Sequence, residues 1–212
     1  MPNTNEPYTF DTFIEGSCNR VALAAAKKTA DDLGHPYNPL ALYGKPGTGK
    51  THLLRAIGHS FQKRHPSAHV VLMTGEALMD AIIQKERQGE IFHLRNMDLL
   101  LVDDIDCVVN LEACQDELGQ VLDEFIRSGH QVVMTSSKSL YYMSALDYWL
   151  NNHAYGLVVK LAPLDKDTAI AMLLDKAERR SLHVTQDEAE RLVEGITDGR
   201  RIEGLIQHLI VK

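Results

Sequence analysis

No stretch of this 212-residue chain approaches the ~20 consecutive apolar residues that a bilayer-crossing helix needs, so no membrane partner is expected. The opening MPNTNEPYTF has neither the basic start nor the apolar middle of a secretory signal, and a cytoplasmic location is expected. Cysteine is scarce. Cys18, Cys107 and Cys114 are odd in number, lack CxxC spacing and have no histidine cluster beside them, so they read as reduced thiols, with no structural metal site implied. Positive charge is also short: 22 Lys and Arg against 29 Asp and Glu leave a net charge of −7. That argues against a surface that grips nucleic acid by broad phosphate neutralisation, while leaving room for a local basic patch. Internal repeats and low-complexity tracts are absent as well. The ten histidines are scattered and read as surface or satisfied core imidazoles. The polar residues up to about Glu6 read as loose.

What is present is an ordinary globular composition, 44% hydrophobic and 24% charged, at a length that suits one large α/β domain or one domain with a small appendage. An Ala-rich helix is expected over residues 19–32, ending at Gly34-His-Pro36. Apolar, β-branched runs predict strands at 40–43, 69–74, 99–103, 131–135 and 156–161. Helical patterns fall between them at 52–64, 76–88 and 111–128. Alternation of this kind means right-handed crossovers and a parallel, doubly wound five-stranded sheet flanked by helices. After Pro163 the pattern becomes all-helical, with helices expected at 167–180, 186–197 and 200–212. Thr185-Gln-Asp-Glu188 opens the second of them as a capping box. The expected division is therefore a nucleotide-binding α/β domain over residues 1–163 and a helical lid over 164–212.

The chemistry starts at Leu40-Ala-Leu-Tyr-Gly-Lys-Pro-Gly-Thr-Gly-Lys-Thr51, an apolar strand running into GxxxxGK[ST] and then a helix. Phosphates are hard to desolvate, and unpaired backbone N–H groups at a helix start can do it. Gly44, Gly47 and Gly49 let the backbone turn around the anion; Lys50 is expected to reach the β- and γ-phosphates and the Thr51 hydroxyl to ligate Mg²⁺. Pro46, Thr48 and His52 complete the expected nucleotide-contacting stretch. A nucleotide site also needs an acidic element, and Leu99-Leu-Leu-Val-Asp-Asp-Ile-Asp106 supplies one at a strand end. Asp103 is expected near Mg²⁺ and Asp104 as the base or water-positioning residue. At the next strand end, Thr135-Ser136-Ser137 either senses the γ-phosphate or is an ordinary Ser-rich turn; the residues alone support both. Arg200 and Arg201 open the last helix, and a solvated surface pair is the simpler reading on residues alone.

Taken together the chain resembles the AAA+ ATPase domain of the bacterial replication initiator DnaA and its relatives. The resemblance rests on Tyr8-Thr-Phe-Asp-Thr-Phe13, Gly16-Ser-Cys-Asn-Arg20, Tyr37-Asn-Pro-Leu40, the phosphate loop, Thr51-His-Leu-Leu-Arg-Ala-Ile-Gly-His59, the Asp103-Asp104 strand and Arg200-Arg-Ile-Glu-Gly204. It implies an AAA+ P-loop NTPase fold, ATP or ADP with Mg²⁺, Arg200 as the sensor-2 arginine, Ser137 in the sensor-1 position and Asn19 close to the adenosine. Three features depart from the family. Tyr148-Trp-Leu-Asn-Asn-His-Ala-Tyr-Gly156 contains no arginine, where the family places one that acts on a neighbour's γ-phosphate. Such a finger is worth roughly 10³–10⁵ in rate, so a self-assembled ring should hydrolyse ATP poorly. Residues 75–98 look shorter than in initiators and offer only Lys85, Arg87 and Arg95 toward single-stranded DNA. The chain also stops within the lid, at Lys212, as expected of either an excised domain or a regulator without its own operator-reading module.

Two functions follow as expectations. One is a nucleotide-dependent switch in control of replication, with weak intrinsic ATPase, docking on an AAA+ initiator or another replication protein. The other is an ATP-hydrolysing motor or helicase loader that assembles on DNA. The intact Lys50, Thr51, Asp103 and Asp104 suit both; the missing arginine and the acidic charge favour the switch. Weak single-stranded DNA contact and a nucleotide-dependent oligomer fit either.

Overall fold

Strand β3, Leu99–Asp103, explains the layering of the molecule. Its first four residues are apolar and fully buried, and alternate side chains of a strand point to opposite faces. Leu99 and Leu101 therefore need one covering layer and Leu100 and Val102 another. The structure, a computed structural model, describes residues 8–31, 37–88, 97–106, 115–139 and 156–211, and both layers are present in it. On the first face, α1 (Arg20–Asp31) and α2 (Lys50–Arg64) pack over β1 (Leu40–Tyr43), burying Leu40 and Leu42 with Leu53, Leu54 and Ile57. On the second, α3 (Gly75–Gln88) and α4 (Gln115–Arg127) enclose Leu78, Ile82, Leu118, Leu122 and Phe125. With β2 (Val70–Thr74), β4 (Gln131–Ser136) and β5 (Leu157–Lys160), the sheet runs β2-β3-β4-β1-β5. Every strand pair is parallel, which gives the expected five-stranded sheet flanked by helices.

The order of the strands places the site. The phosphate loop leaves the C-terminal end of β1, and β4 lies beside both β1 and β3, so loop, acids and hydroxyls share one sheet edge. Pairing of Tyr43 with Ser136, together with Gly44 N–H donating to Ser136 O at 3.2 Å, joins the loop directly to β4.

The last three helices, α5 (Lys166–Arg179), α6 (Gln186–Leu192) and α7 (Gly199–Val211), surround a third apolar cluster built on Leu164, Leu173, Val193, Ile202 and Ile206. The capping box is present: Thr185 Oγ1 accepts from Glu188 N, and Glu188 Oε2 accepts from Thr185 N at 2.9 Å. The helix behind it is shorter than the sequence predicts, ending at Leu192 instead of residue 197. Gly195 takes φ 71, a left-handed turn, and the chain then leaves to let Thr197 O accept from Leu164 N. The phosphate-loop helix starts at Lys50, two residues before its apolar pattern does.

Asp165 caps α5 and also reaches the N-terminal segment. Its Oδ1 accepts from Thr168 N at 2.8 Å, and its Oδ2 accepts from Ser17 Oγ at 2.6 Å. The Ser17 and Thr168 hydrogen bonds hold its carboxyl far below the usual aspartate range. Asp165→Ala is expected to cost about 1 kcal/mol, a drop of roughly 2–4 °C in the calorimetric Tm. A depressed carboxyl contributes its stability above its unfolded pKa and loses it as pH falls through the folded value. The Tm difference between wild type and variant should accordingly hold at neutral pH and shrink below about pH 4.

No helix among the described residues is long and apolar enough to cross a membrane. Glu6, Gly34 to Pro36, Arg95, Cys107, Cys114 and the arginine-free stretch from Tyr148 to Tyr155 lie outside the described residues, as do the side chains of Lys85 and Arg87.

Candidate phosphate-binding site

Two glycines make the loop after β1 possible. Gly47 (φ 80) and Gly49 (φ 100) adopt backbone conformations that side chains rarely take, and a Cβ on either would press into Asp198 or Phe13. Thr48 is buried and its hydroxyl donates to Lys45 O at 2.9 Å, tightening the turn, while Pro46 is exposed on its rim. Gly44 is buried at the loop's root. From the first turn of α2, Lys50 folds back so that Nζ donates to Gly44 O (2.7 Å) and Lys45 O (3.1 Å). Burial pushes its ammonium below the usual lysine value and Arg200 adds to that, while Asp104, Asp106 and Asp103 oppose it. A half-buried cation held in a glycine loop is a fitting receptor for a phosphate anion.

Thr51 and Asp103 meet across the sheet edge. Thr51 Oγ1 donates to both Asp103 oxygens, at 3.1 and 3.0 Å, and Asp103 Oδ1 also accepts from Thr135 Oγ1 at 2.6 Å. Hydroxyl and carboxylate oxygens alone suit Mg²⁺, which keeps several waters and takes one or two protein ligands beside phosphate. Among the described residues no group of three or more His, Cys, Asp or Glu could hold a metal unaided.

Asp104 follows with φ 59, a left-handed conformation uncommon outside Gly, Asn and Asp, and its N–H donates to Thr135 Oγ1 at 2.9 Å. Its carboxyl is pushed up to about 6, first by a hydrogen bond to Asp106, then by burial and the nearby charges of Asp106 and Asp103. Asp106 ends up below the usual range: burial raises it, but hydrogen bonds from Asp104, Ser137 and Ser136 prevail. Ser136 Oγ reaches Asp106 Oδ1 at 2.8 Å, and Ser137 N reaches Oδ2 at 2.7 Å. The β4 hydroxyls thus engage β3 acids: Thr135 braces Asp103 and Asp104, and Asp106 grips the Ser136-Ser137 turn. Thr135, one of the hydroxyls singled out in the sequence, turns out to brace the acids, while Asp106, which closes the acidic stretch, receives no role of its own from the sequence.

Asn19 and His52 shape the walls. Asn19 is buried, its Oδ1 accepting from Gly16 N and its Nδ2 donating to Ile14 O, which fixes the 14–19 turn beside a small cavity lined by Ile14, Thr48, His52 and Met172. His52 Nε2 lies 2.9 Å from Thr9 O, and its ring meets Tyr8 and Phe13 edge-on at 5.1 and 5.2 Å. It staples the N-terminal segment to α2. From the opposite wall, α7 delivers Arg200 into a cleft of about 420 Å³ that also contains Lys50 and Thr51. Asp198 caps that helix through Arg201 N, and Gly199 N–H donates to Gly47 O at 2.8 Å, so α7 begins in direct contact with the phosphate loop. Of the residues singled out in the sequence, Gly47, Gly49, Lys50, Thr51, His52 and Arg200 line that cleft, Thr51 ties Asp103 to it, and Ser137 is exposed beside Asp106.

With this geometry in place, known proteins offer a comparison. The family model of the bacterial DnaA ATPase domain matches residues 4–160. Domain III of the Thermotoga maritima replication initiation protein DnaA is 30% identical, with a TM-score of 0.86 over 98% of this chain and 89% of that one. Replication initiator DnaA bound to AMPPCP and single-stranded DNA is 29% identical (TM-score 0.85), and AMPPCP-bound DnaA from Aquifex aeolicus is 27% identical (TM-score 0.85). Each of these two matches covers 98% of this chain and 66% of the other, so the chain spans just under two thirds of their length.

Proposed function

The chain belongs to the bacterial DnaA ATPase-domain family, with its AAA+ P-loop fold, and from that premise we propose that it is a nucleotide switch in the initiation or control of DNA replication. The observation that carries the reading is the Lys50 ammonium, held inside the glycine loop and faced by Arg200 across one cleft. In this reading residues 1–163 form the nucleotide-binding domain and 164–212 a lid, whose separate apolar cluster suits independent movement. The backbone N–H groups of the loop and Lys50 bind the phosphates of ATP or ADP, and Asn19 shapes the base side of the site. Thr51 and Asp103 hold Mg²⁺, which when bound neutralises charge on the phosphates. Asp104 orients or deprotonates the attacking water, Ser137 monitors the γ-phosphate, and Arg200 reports its presence to α7.

Intrinsic turnover is slow in this proposal, because the stretch before Gly156 contains no arginine to stabilise the transition state. The activating group then comes from a partner, an AAA+ initiator or another replication protein in the cytoplasm. DNA contact is weak and salt-sensitive, as the net charge of −7 suggests.

Steady-state ATPase measured alone, with single-stranded DNA and with the host's initiator tests the proposal. Slow turnover alone, accelerated only by the initiator, is the expected result. Acceleration by DNA, or a steep rise with the chain's own concentration, would instead assign it to the motor and loader class. Nanomolar sequence-specific DNA binding would also contradict the proposal.

A further inference from the structure

Four cations border the cleft in front of the phosphate loop: Lys50, Lys176 and Arg180 around the end of α5, and Arg200. They are not equivalent. Lys50 is tied to loop carbonyls. Lys176 Nζ lies 3.0 Å from Glu203 Oε2, and Arg180 Nη2 lies 2.7 Å from Glu203 Oε1, with only 19% and 16% of their side chains exposed. Arg200 has no ion-pair partner among the described residues.

Glu203 stands three residues after Arg200 on α7, on the same helical face. Its two oxygens are divided between two cations of the neighbouring helix, so one carboxylate fixes the second turn of α7 against α5. The first turn is fixed by the Gly199–Gly47 hydrogen bond. Arg200 sits between these two anchors. Removing one partner of a shielded pair costs more than removing one of an exposed pair, because losing the shared carboxylate would leave two poorly solvated cations. Burial pushes the Glu203 carboxyl up, but Lys176 and Arg180 prevail and hold it below the usual glutamate range.

We infer that Glu203 is a positioning residue for nucleotide discrimination. By engaging Lys176 and Arg180 it sets the pitch of α7 over the phosphate loop and leaves Arg200 as the cation of that helix presented to a terminal phosphate. A purely structural ion cluster would hold α5 to α7 equally well, but would not distinguish ATP from ADP. The inference rests on the proposed sensing role of Arg200, and its test separates the two.

Dissociation constants for ATP and ADP, measured by fluorescent-nucleotide titration on Glu203→Gln, Arg200→Ala and the double variant, give the answer alongside thermal melting of each. Glu203→Gln keeps the side chain's shape and removes its charge. The preference for ATP over ADP is expected to fall roughly 3- to 10-fold, and the double variant should discriminate no worse than Arg200→Ala alone. A lower Tm with an unchanged affinity ratio would overturn the inference, as would additive losses in the double variant. An unchanged ratio in Arg200→Ala would overturn the sensing role itself and the inference with it. Should Glu203→Gln fail to fold, Arg180→Gln removes one arm of the clamp; a smaller loss in the same direction supports the assignment, and no loss refutes it.

Discussion

Lys50→Ala is expected to abolish nucleotide binding at micromolar concentrations. The ammonium is half-buried in the phosphate loop and meets only two backbone carbonyls there, so a bound polyphosphate would draw on it as the central charged donor. Truncating one partner of a desolvated charge pair costs about 2–5 kcal/mol, which is on the order of 30- to 4,000-fold in Kd. The fold should tolerate the change. Lys50 is at the start of α2, Ala is a good helix former, and Lys50 itself borders an open cleft that its truncation only widens. Titration with a fluorescent ATP analogue reads the loss directly, with circular dichroism as the control for folding. ATP affinity equal to wild type would remove the loop from the nucleotide site altogether.

Asp104→Asn should separate binding from chemistry. Initiator-stimulated turnover is expected to fall about 10²- to 10⁴-fold, the usual contribution of a positioned acid or base, while ATP and ADP affinities change little. Three local facts make Asn the informative replacement. It tolerates the left-handed backbone at φ 59, its N–H keeps the bond to Thr135 Oγ1, and its amide can still donate to Asp106 as the protonated carboxyl does. The site should therefore retain its shape and lose the proton acceptor. Undiminished stimulated turnover in this variant would move the base to another residue. Lost ATP affinity would recast Asp104 as a binding group.

Much of the architecture is legible in the sequence because β3, buried on both faces, reads as a continuous apolar run, and β4 carries an apolar Val132-Val-Met134 centre bounded by turn residues. The loop, Lys50, Thr51 and Asp103 are legible for another reason: they lie close together in sequence or at the ends of such runs. Links between strands are not. Thr135 braces Asp103, and Asp106 grips Ser136 and Ser137, only because β3 and β4 are neighbours, an adjacency that periodicity does not reveal. The same holds for His52, whose ring partners lie some 40 residues upstream, and for Glu203, whose cations come from another helix. The overlong reading of α6 has a local cause. Apolar spacing continues through Val193 and Ile196, while Gly195 turns the backbone out of the helix.

The backbone hydrogen bond from Gly199 to Gly47 has a thermodynamic corollary. If filling the loop strains or relieves that bond, then by linkage any partner that binds α7 more tightly in one of the two states changes nucleotide affinity by the same factor as nucleotide changes its own. A protein or antibody fragment at the exposed end of that helix, near Val211, that tells the two states apart would act as a dial on a site it never touches.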